Sequence, residues 1–246
     1  MKAMVLAAGL GTRLRPLTDD RPKALVELCG RTLLEITLSR LSNFGIREVI
    51  INVHHFADKM QEYLKVHSNF EMEIEISRED VLLDTGGGLK KAAYFFRNGR
   101  NEPFLLHNVD VISDIDLNRM LQFHQQRQAL ATLAVKERKT SRYLLFDEEM
   151  RLCGRRNEKE GKSEEVRSVR NPQAFAFCGI HVISTRFLDM MSEEGVFSII
   201  DSYLRLAGQG ESIVAFDAGQ YYWRDLGKPE NIRQAAEDVG QNKIVL

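Results

Sequence analysis

Short apolar runs alternate with helical patterns through the first half of the chain, and this alternation constrains the fold more than any other feature. A short apolar run predicts a buried strand, and apolar residues spaced three and four apart predict an amphipathic helix. Strands are predicted at residues 2–8, 48–53, 72–77 and 103–107, and helices at 32–44, 55–66, 86–96 and 116–126. Such alternation predicts an α/β fold with a doubly wound, mostly parallel sheet.

The second half is richer in strand patterns and carries no sign of a domain boundary. Strands are predicted at residues 130–135, 143–146, 175–183 and 213–216, and helices at 186–191, 198–206 and 229–239. The charged segment 157–171 is predicted to be a mobile loop. No tandem repeat or low-complexity linker interrupts the sequence, so we predict a single domain over residues 1–246.

The composition excludes several classes of protein. The 246 residues carry 34 lysines and arginines against 35 aspartates and glutamates, and a formal net charge of −1 does not favour a nucleic-acid partner. No stretch approaches the roughly 20 apolar residues of a membrane span, and the N-terminal apolar run is too short for a signal peptide. We therefore expect a cytoplasmic protein with no membrane partner, either a monomer or a homodimer.

The three cysteines support the same compartment. Cys29, Cys153 and Cys178 are far apart and lack the CxxC or Cys/His spacing of a metal site. They are predicted to be reduced thiols, buried or half-buried.

The loop after the first predicted strand combines glycines with cationic side chains. Gly9 and Gly11 allow backbone N–H groups to approach an anion closely. Arg13 and Arg15 add guanidinium forks that suit phosphate oxygens, and Lys23 adds a point charge on a flexible stem. Together these residues predict a cradle for a triphosphate.

Two other phosphate-binding motifs fit this loop poorly. A P-loop ends in Gly-Lys-Ser/Thr, whereas Gly11 is followed by Thr12 and Arg13. The dinucleotide fingerprint needs a third glycine where Leu14 stands, and it also needs an acidic residue at the end of the second strand. A dehydrogenase is therefore disfavoured.

A second glycine-rich segment, 84–88, reads Asp-Thr-Gly-Gly-Gly at the entry to the third predicted helix. Consecutive glycines allow a flat ring or a phosphate to lie against the backbone, although a simple helix-entry turn would use them equally well. Asn52, at the end of the second predicted strand, could face the same ligand or simply form a turn. The segment is thus a candidate site for a nucleobase.

Asp110 is a candidate metal ligand. It follows the apolar strand 103–107, whose end the fold places at the same sheet edge as the glycine loop. Carboxylate oxygens suit Mg²⁺, which proteins usually hold through one or two carboxylates and substrate phosphates, although an aspartate here could also form an Asx turn.

The apolar or helical surroundings of His107, His124 and His181 predict structural roles.

The string LAAGLGTRLRPLT, followed by RPKAL, resembles the opening of the sugar-1-phosphate nucleotidyltransferases, and the late string WRDLGKPE resembles another segment of that family. The resemblance implies a Rossmann-like nucleotidyltransferase fold. It implies that Arg13 contacts the β- and γ-phosphates, that Lys23 neutralises the α-phosphate, and that Asp110 and Asp225 together bind Mg²⁺. The TGGG string is similar to that of the short N-acetylmuramate 1-phosphate uridylyltransferases.

The resemblance assigns expected residues to each part of the site. Lys23 and Arg13 are the expected catalytic residues. The residues expected at the nucleotide are Leu6, Ala8, Gly9, Gly11, Thr12, Arg13, Asn52, Asp84, Thr85, Gly86 and Gly87. Asn108, Tyr143 and Gly179 are expected at the sugar phosphate. Val109 stands where the family usually has glycine, which bears on how closely the sugar phosphate approaches.

The implied reaction transfers a nucleotidyl group from a nucleoside triphosphate, with UTP favoured, to a sugar 1-phosphate and releases pyrophosphate. Such a reaction belongs to sugar-nucleotide biosynthesis, for example for a cell wall. Residues 1–128 are expected to bind mainly the nucleotide and residues 129–246 mainly the sugar phosphate. A non-catalytic sensor of nucleotides or sugar nucleotides, and a cytidylyl- or guanylyltransferase acting on another phosphorylated acceptor, remain open alternatives.

Overall fold

The computed structural model of the protein describes residues 1–97 and 102–246. Within these ranges the α-helices are α1 (Leu33–Asn43), α2 (Ala57–Val66), α3 (Asp84–Ala92), α4 (Leu117–Gln126), α5 (Arg186–Asp189), α6 (Ile199–Gly208) and α7 (Pro229–Gly240). The strands are β1 (Ala3–Leu6), β2 (Glu27–Leu28), β3 (Arg31–Thr32), β4 (Glu48–Val53), β5 (Glu73–Arg78), β6 (Phe104–Asn108), β7 (Val111–Ser113), β8 (Ala131–Lys136), β9 (Arg142–Phe146), β10 (Leu152–Asn157), β11 (Lys162–Glu165), β12 (Gln173–Ile183), β13 (Ile213–Asp217) and β14 (Trp223–Asp225).

Most of the described strands form one mixed sheet. Its parallel part has the order β6-β1-β4-β5 and is built by the first half of the chain. β12 pairs antiparallel with β6, β8 and β9, and β13 pairs parallel with β8. β9, β10 and β11 continue the sheet as an antiparallel extension. The prediction of an α/β fold is therefore confirmed, with the parallel strands concentrated in the first half.

Each face of the sheet has its own hydrophobic core. In β1, Met4 and Leu6 belong to one core, and Ala3 and Val5 belong to the other, as the alternation of side chains along a strand requires. Apolar residues of α3 and α6 close the first core, and those of α1, α2 and α4 close the second. Burial on both faces explains why these strands are recognisable as continuous apolar runs.

The parallel strands end at one edge of the sheet. Leu6 lies in register with both Asn52 and Asn108, so the segments after β1, β4 and β6 begin side by side. A small second sheet of β7 and β14 pairs Val111 with Asp225 and brings the late part of the chain to the same place. In open α/β sheets, ligands bind at this carboxyl edge.

The charged segment 157–171 differs from the prediction of a loop. Lys162–Glu165 forms β11, which makes an antiparallel hairpin with β10. All four residues of β11 are exposed, so the strand lacks the apolar alternation that identifies a strand in a sequence. Gly161 adopts φ +63° between the two strands, in the region that favours glycine.

The cysteine prediction is correct for two of the three residues. Cys153 and Cys178 are buried, whereas Cys29 is exposed, and all three are free thiols. Cys29 lies between β2 and β3, where it adopts φ +51° and is followed by Gly30 at φ +80°. This tight turn holds the side chain outside the core. None of the helices in the described ranges combines the length and apolar character needed to cross a bilayer.

Candidate active site

The loop after β1 is held in shape by Thr18. Gly11 adopts φ +64°, which favours glycine, and a Cβ there would lie 2.9 Å from the methyl carbon of Thr18. The Thr18 hydroxyl donates a hydrogen bond to the Gly11 carbonyl at 2.9 Å. The loop thus closes on itself and leaves Gly9, Thr12 and Arg13 exposed.

Lys23 reaches from this loop to the end of β6. Its ammonium lies 2.7 Å from Oδ2 of Asp110, and the two side chains are only 15% and 6% exposed. The same ammonium lies near Gly9, since a Cβ at that glycine would be 3.8 Å from Nζ. The ion pair therefore fixes a cation between the glycine loop and the predicted metal ligand.

Asp225 is brought beside Asp110 by backbone pairing. Val111, which follows Asp110, lies opposite Asp225 in the β7–β14 ladder. The N–H of Leu226 donates to the Asp110 carbonyl at 2.7 Å. Two aspartates that are far apart in the sequence thus meet at the carboxyl edge of the sheet.

The two carboxylates and two cations share one electrostatic environment. Burial, and then the negative charge of Asp110, raises the pKa of Asp225 above its ordinary value. The N–H of Gly227, which donates to Oδ1 of Asp225 at 3.0 Å, and the charges of Arg13 and Lys23 act in the opposite direction. Arg13 packs directly on this turn, because a Cβ at Gly227 would lie 2.8 Å from its Nη2.

The donor set fits a magnesium ion. Two carboxylates provide hard oxygen ligands, and Mg²⁺ usually takes one or two carboxylates and completes its shell with waters and substrate phosphates. Among the described residues no cluster of three or more acidic, histidine or cysteine side chains is arranged as a metal site. A cation held by both aspartates would offset the negative charge of Asp110, which after burial is the second cause of the raised pKa of Asp225.

The glycine triplet packs against protein on the side where side chains would stand. A Cβ at Gly86 would lie 2.3 Å from a ring carbon of Phe197, and one at Gly87 would lie 2.4 Å from the carbonyl oxygen of Gly195. The N–H groups of both triplet residues donate to the Phe197 carbonyl, at 2.9 and 3.3 Å. The missing side chains therefore allow α3 to approach the segment before α6. The contact of Gly86 and Gly87 with the nucleotide stays a prediction.

Asn52 is buried and supports the loops after β1 and before α3, and its contact with the nucleotide stays a prediction. It is 3% exposed, its side-chain oxygen accepts from the N–H of Ala7 at 2.8 Å, and its amide nitrogen donates to Glu79 at 2.8 Å. The other oxygen of Glu79 accepts from the N–H of Leu83 at 3.0 Å. Because both polar atoms of the Asn52 side chain are engaged, this residue ties the end of β1 to the entry of α3.

The other residues expected at the nucleotide divide into buried and exposed ones. Leu6 and Ala8 are buried beneath the loop. Asp84 is exposed at φ +59°, and its carboxylate accepts from the N–H of Thr85 at 2.6 Å. The Thr85 hydroxyl in turn accepts from the N–H of Ile199 at 3.0 Å, so it stabilises the contact between α3 and α6.

The three residues expected at the sugar phosphate lie around β12. A Cβ at Gly179, which adopts φ +75°, would be 2.7 Å from the amide nitrogen of Asn108. The glycine therefore provides the space that the Asn108 side chain occupies. Tyr143 is half-buried on β9, and its hydroxyl accepts from the N–H of Thr140 at 3.1 Å. Asn108 and Gly179 thus lie side by side, whereas Tyr143 lies further along β12, where β9 pairs with residues 173–175.

Val109 does not narrow the site. It is 1% exposed and its side chain belongs to the core that α1, α2 and α4 cover. Valine in place of the family glycine therefore adds a side chain to the core and not to the open side of Asp110.

Arg138 is a charged residue of this region that the sequence did not reveal. Its guanidinium carbon lies 4.2 Å from the ring centre of Trp223, and its Nη2 donates to the Phe177 carbonyl at 2.9 Å. Burial lowers the pKa of Arg138, while the negative charge of Asp225 opposes that shift. In the sequence it lies in the charged run 136–139, which has the pattern of a solvated loop.

Three histidines are part of the cores, in agreement with the sequence interpretation. Burial lowers the pKa of His107 and His124 to about 4 and that of His181 to about 3. His181 forms a hydrogen bond with the Tyr203 hydroxyl at 2.8 Å. Burial thus favours the neutral form of all three rings. The negative charge of Asp110 opposes this shift at His107, which precedes Asn108 on β6.

The candidate site thus consists of a glycine loop, a half-buried lysine and two aspartates brought together at the carboxyl edge of an α/β sheet. The chain belongs to the nucleotidyl transferase family, whose model matches residues 2–242. The resemblance to the sugar-1-phosphate nucleotidyltransferases is therefore confirmed, and so is the prediction of a nucleotidyltransferase at the level of the family.

Two curated relatives differ in their nucleotide. The chain is 46% identical over 113 residues to the N-acetylmuramate alpha-1-phosphate uridylyltransferase of Caulobacter vibrioides, a match that covers 45% of this chain and 46% of that protein. It is 30% identical over 237 residues to the mannose-1-phosphate guanyltransferase of Yarrowia lipolytica, which covers 94% of this chain and 62% of that protein. The matched regions thus span less than two thirds of both relatives.

A solved structure supports the fold. A putative glucose-1-phosphate thymidylyltransferase from Bacillus anthracis superposes with a TM-score of 0.79 at 16% identity, over 100% of this chain and 97% of that one. At this low identity the likeness bears on the architecture alone.

Proposed function

We propose that this chain transfers a nucleotidyl group from a nucleoside triphosphate to a sugar 1-phosphate, with release of pyrophosphate. The observation that carries the proposal is the meeting of Lys23, Asp110 and Asp225, with Arg13 packed on the same turn. Family membership supports the same reaction. A chain that had become a non-catalytic sensor would not need this cluster of charges.

The chemistry requires positioning and positive charge more than a base. An oxygen of the sugar phosphate attacks the α-phosphorus, a new P–O bond forms, and the bond to the pyrophosphate leaving group breaks. The attacking oxygen is already an anion, so no residue has to remove a proton. The barrier comes from bringing two anions together and from the charge that develops on the leaving group.

The residues of the cluster divide these tasks between them. Lys23 neutralises the α-phosphate, and its ion pair with Asp110 orients the ammonium before the substrates arrive. Arg13, exposed at the tip of the loop, binds the β- and γ-phosphates. Asp110 and Asp225 would hold Mg²⁺, and when bound the ion supplies positive charge that neutralises and orients phosphate oxygens.

The proposed substrates are UTP and N-acetylmuramate 1-phosphate or a related hexosamine 1-phosphate. The 46% identity to a uridylyltransferase supports this pairing, although that match covers less than half of the chain. The longer match to a guanyltransferase supports GTP with mannose 1-phosphate as the second candidate pair.

Pyrophosphate release in the presence of Mg²⁺, measured for four nucleoside triphosphates against a panel of sugar 1-phosphates, tests the proposal. We expect release that depends on both substrates, strongest with UTP and an amino-sugar acceptor. Release with GTP and mannose 1-phosphate would support the proposed reaction and identify these two compounds as the substrates instead. Nucleotide binding without release from any pair would favour the sensor.

A further inference from the structure

Three successive residues of β12, at positions 177–179, contact Arg138, Trp223 and Asn108. The Phe177 carbonyl accepts from Arg138 at 2.9 Å, and the Cys178 carbonyl accepts from the indole N–H of Trp223 at 2.7 Å. Gly179 follows at φ +75°. The pairing of β12 with β8 shifts register over these residues, and such a bulge frees carbonyls from the ladder. The bulge therefore serves to hold Arg138 and Trp223 in fixed positions.

The protein leaves part of the Arg138 guanidinium unpaired. Nη2 has the Phe177 carbonyl as its partner, whereas Nε is enclosed and has no hydrogen-bond partner among the described residues. No ion pair within 4 Å reaches Arg138 from the part of the chain that the structure describes. An unpaired buried N–H is unfavourable, and here the Nε–H belongs to a rigid cation stacked on the Trp223 ring.

The contact with Trp223 locates Arg138 relative to the two aspartates. Trp223 and Asp225 are the first and last residues of β14, and side chains two positions apart on a strand lie on the same face. Because the guanidinium stacks on the Trp223 ring, it lies on the Asp225 side of the site. The negative charge of Asp225 acts on Arg138 from there.

We infer that Arg138 determines acceptor specificity by binding a carboxylate carried by the sugar, so that the preferred acceptor is an acidic sugar 1-phosphate. The inference rests on the proposed function, since it assigns the acceptor class of the same site. A sugar with its 1-phosphate at Asp110 and Asp225 extends its ring away from the reaction centre, and a ring substituent reaches the position of Arg138.

The chemistry of the guanidinium favours a carboxylate. A planar, permanently charged fork matches the two oxygens of a carboxylate, and such charge-assisted hydrogen bonds are stronger than neutral ones. A neutral sugar offers Arg138 no charge-assisted hydrogen bond, so the site would favour the acidic acceptor. Trp223 and the Phe177 carbonyl act as positioning groups, because they fix the fork before the acceptor binds.

Two matched pairs of acceptors test the inference. N-acetylmuramate 1-phosphate differs from N-acetylglucosamine 1-phosphate by a lactyl carboxylate, and glucuronate 1-phosphate differs from glucose 1-phosphate by a ring carboxylate. Their dissociation constants are measured by calorimetry in Mg²⁺ with a non-hydrolysable UTP analogue, for the wild type, Arg138→Met, Arg138→Lys and the exposed control Arg142→Met. Methionine keeps an apolar contact with Trp223, and thermal melting checks that each variant is folded.

We expect the wild type to bind the acidic member of one pair more tightly. Arg138→Met should weaken that acceptor roughly 10- to 100-fold, the effect of losing a charge-assisted hydrogen bond, and should leave its neutral partner nearly unchanged. Arg138→Lys should recover part of the selectivity, and Arg142→Met should keep all of it. The pair that responds identifies the kind of carboxylate.

The inference would be overturned if Arg138→Met lost the same affinity for both members of a pair, or if the wild type bound both members equally well. Binding is measured independently of turnover, so the two proposals can fail separately. Selective binding without pyrophosphate release would contradict the proposed function and support the role of Arg138. Pyrophosphate release without selective binding would support the proposed function and contradict the role of Arg138.

Discussion

The Lys23 ammonium lies 2.7 Å from the Asp110 carboxylate, and it joins the glycine loop after β1 to the end of β6. The pair is largely shielded from water, so each charge depends on the other for stabilisation. A substrate phosphate that enters beside this pair meets a cation that is already oriented. This relationship links the fold to the proposed chemistry, because it exists only where two parallel strands end side by side.

Replacement of Lys23 by alanine should lower the rate of nucleotidyl transfer by roughly 10²–10³-fold, as for removal of one preorganised electrostatic group. Initial rates of pyrophosphate release at saturating substrates measure the effect. Lys65→Ala, an exposed lysine of α2, is the matched control and should keep full activity. A fully active Lys23→Ala enzyme would remove this residue from the mechanism.

Replacement of Asp225 by asparagine should abolish most activity and yet raise the melting temperature of the metal-free protein at neutral pH. Burial and Asp110 raise the pKa of Asp225, so its ionised form costs folding free energy there. As the pH falls through that pKa, wild-type Asp225 becomes neutral and the two melting temperatures should converge. Melting with a chelator present measures this, and a variant less stable than the wild type at neutral pH would contradict it.

Addition of a methyl group at Gly86 should destabilise the fold by about 1–3 kcal/mol, the usual cost of overpacking. The new Cβ would lie 2.3 Å from the Phe197 ring. Denaturant unfolding measures the change. Gly240→Ala, at a helical glycine with open space around it, is the control and should be nearly neutral. Phe197→Ala combined with Gly86→Ala should cost less than the sum of the two, and strict additivity would contradict the contact.

Acidification should destabilise the protein through its buried histidines. Burial lowers the pKa of His124 from 6.5 to about 4. Below pH 6.5 this histidine therefore binds a proton in the unfolded chain but stays neutral in the folded chain. Stability then falls by about 1.4 kcal/mol per pH unit for each such histidine until the folded pKa is reached. Urea unfolding at a series of pH values should show a smaller slope for His124→Gln, and an unchanged slope would contradict the account.

The sequence was sufficient to predict the parts of the site that depend on strand order. Apolar runs marked the buried parallel strands, and parallel strands bring their ends together, so the glycine loop and Asp110 were expected at one edge. Asp225 could be added only through the family resemblance, because its position depends on a short pairing between β7 and β14. Strands of three residues leave no recognisable period.

The features that the sequence could not predict depend on contacts between distant segments. The glycine triplet packs on Phe197, more than a hundred positions later, and a glycine in a sequence does not indicate whether a ligand or protein fills its free side. Arg138 lies in a charged run and becomes distinctive only because β12 bulges beneath it. Asn52 is polar at a strand end, and only the structure shows that both polar atoms are engaged.

Phosphorus NMR of one reaction mixture tests the central claim most directly. The mixture contains the full chain, Mg²⁺, UTP and N-acetylmuramate 1-phosphate, and it is compared with the same mixture containing Asp110→Asn. The account predicts that pyrophosphate and a new phosphodiester diphosphate signal appear in equal amounts with the wild type and are nearly absent with the variant. Formation of orthophosphate and UDP without a sugar nucleotide, or equal turnover by the variant, would contradict it.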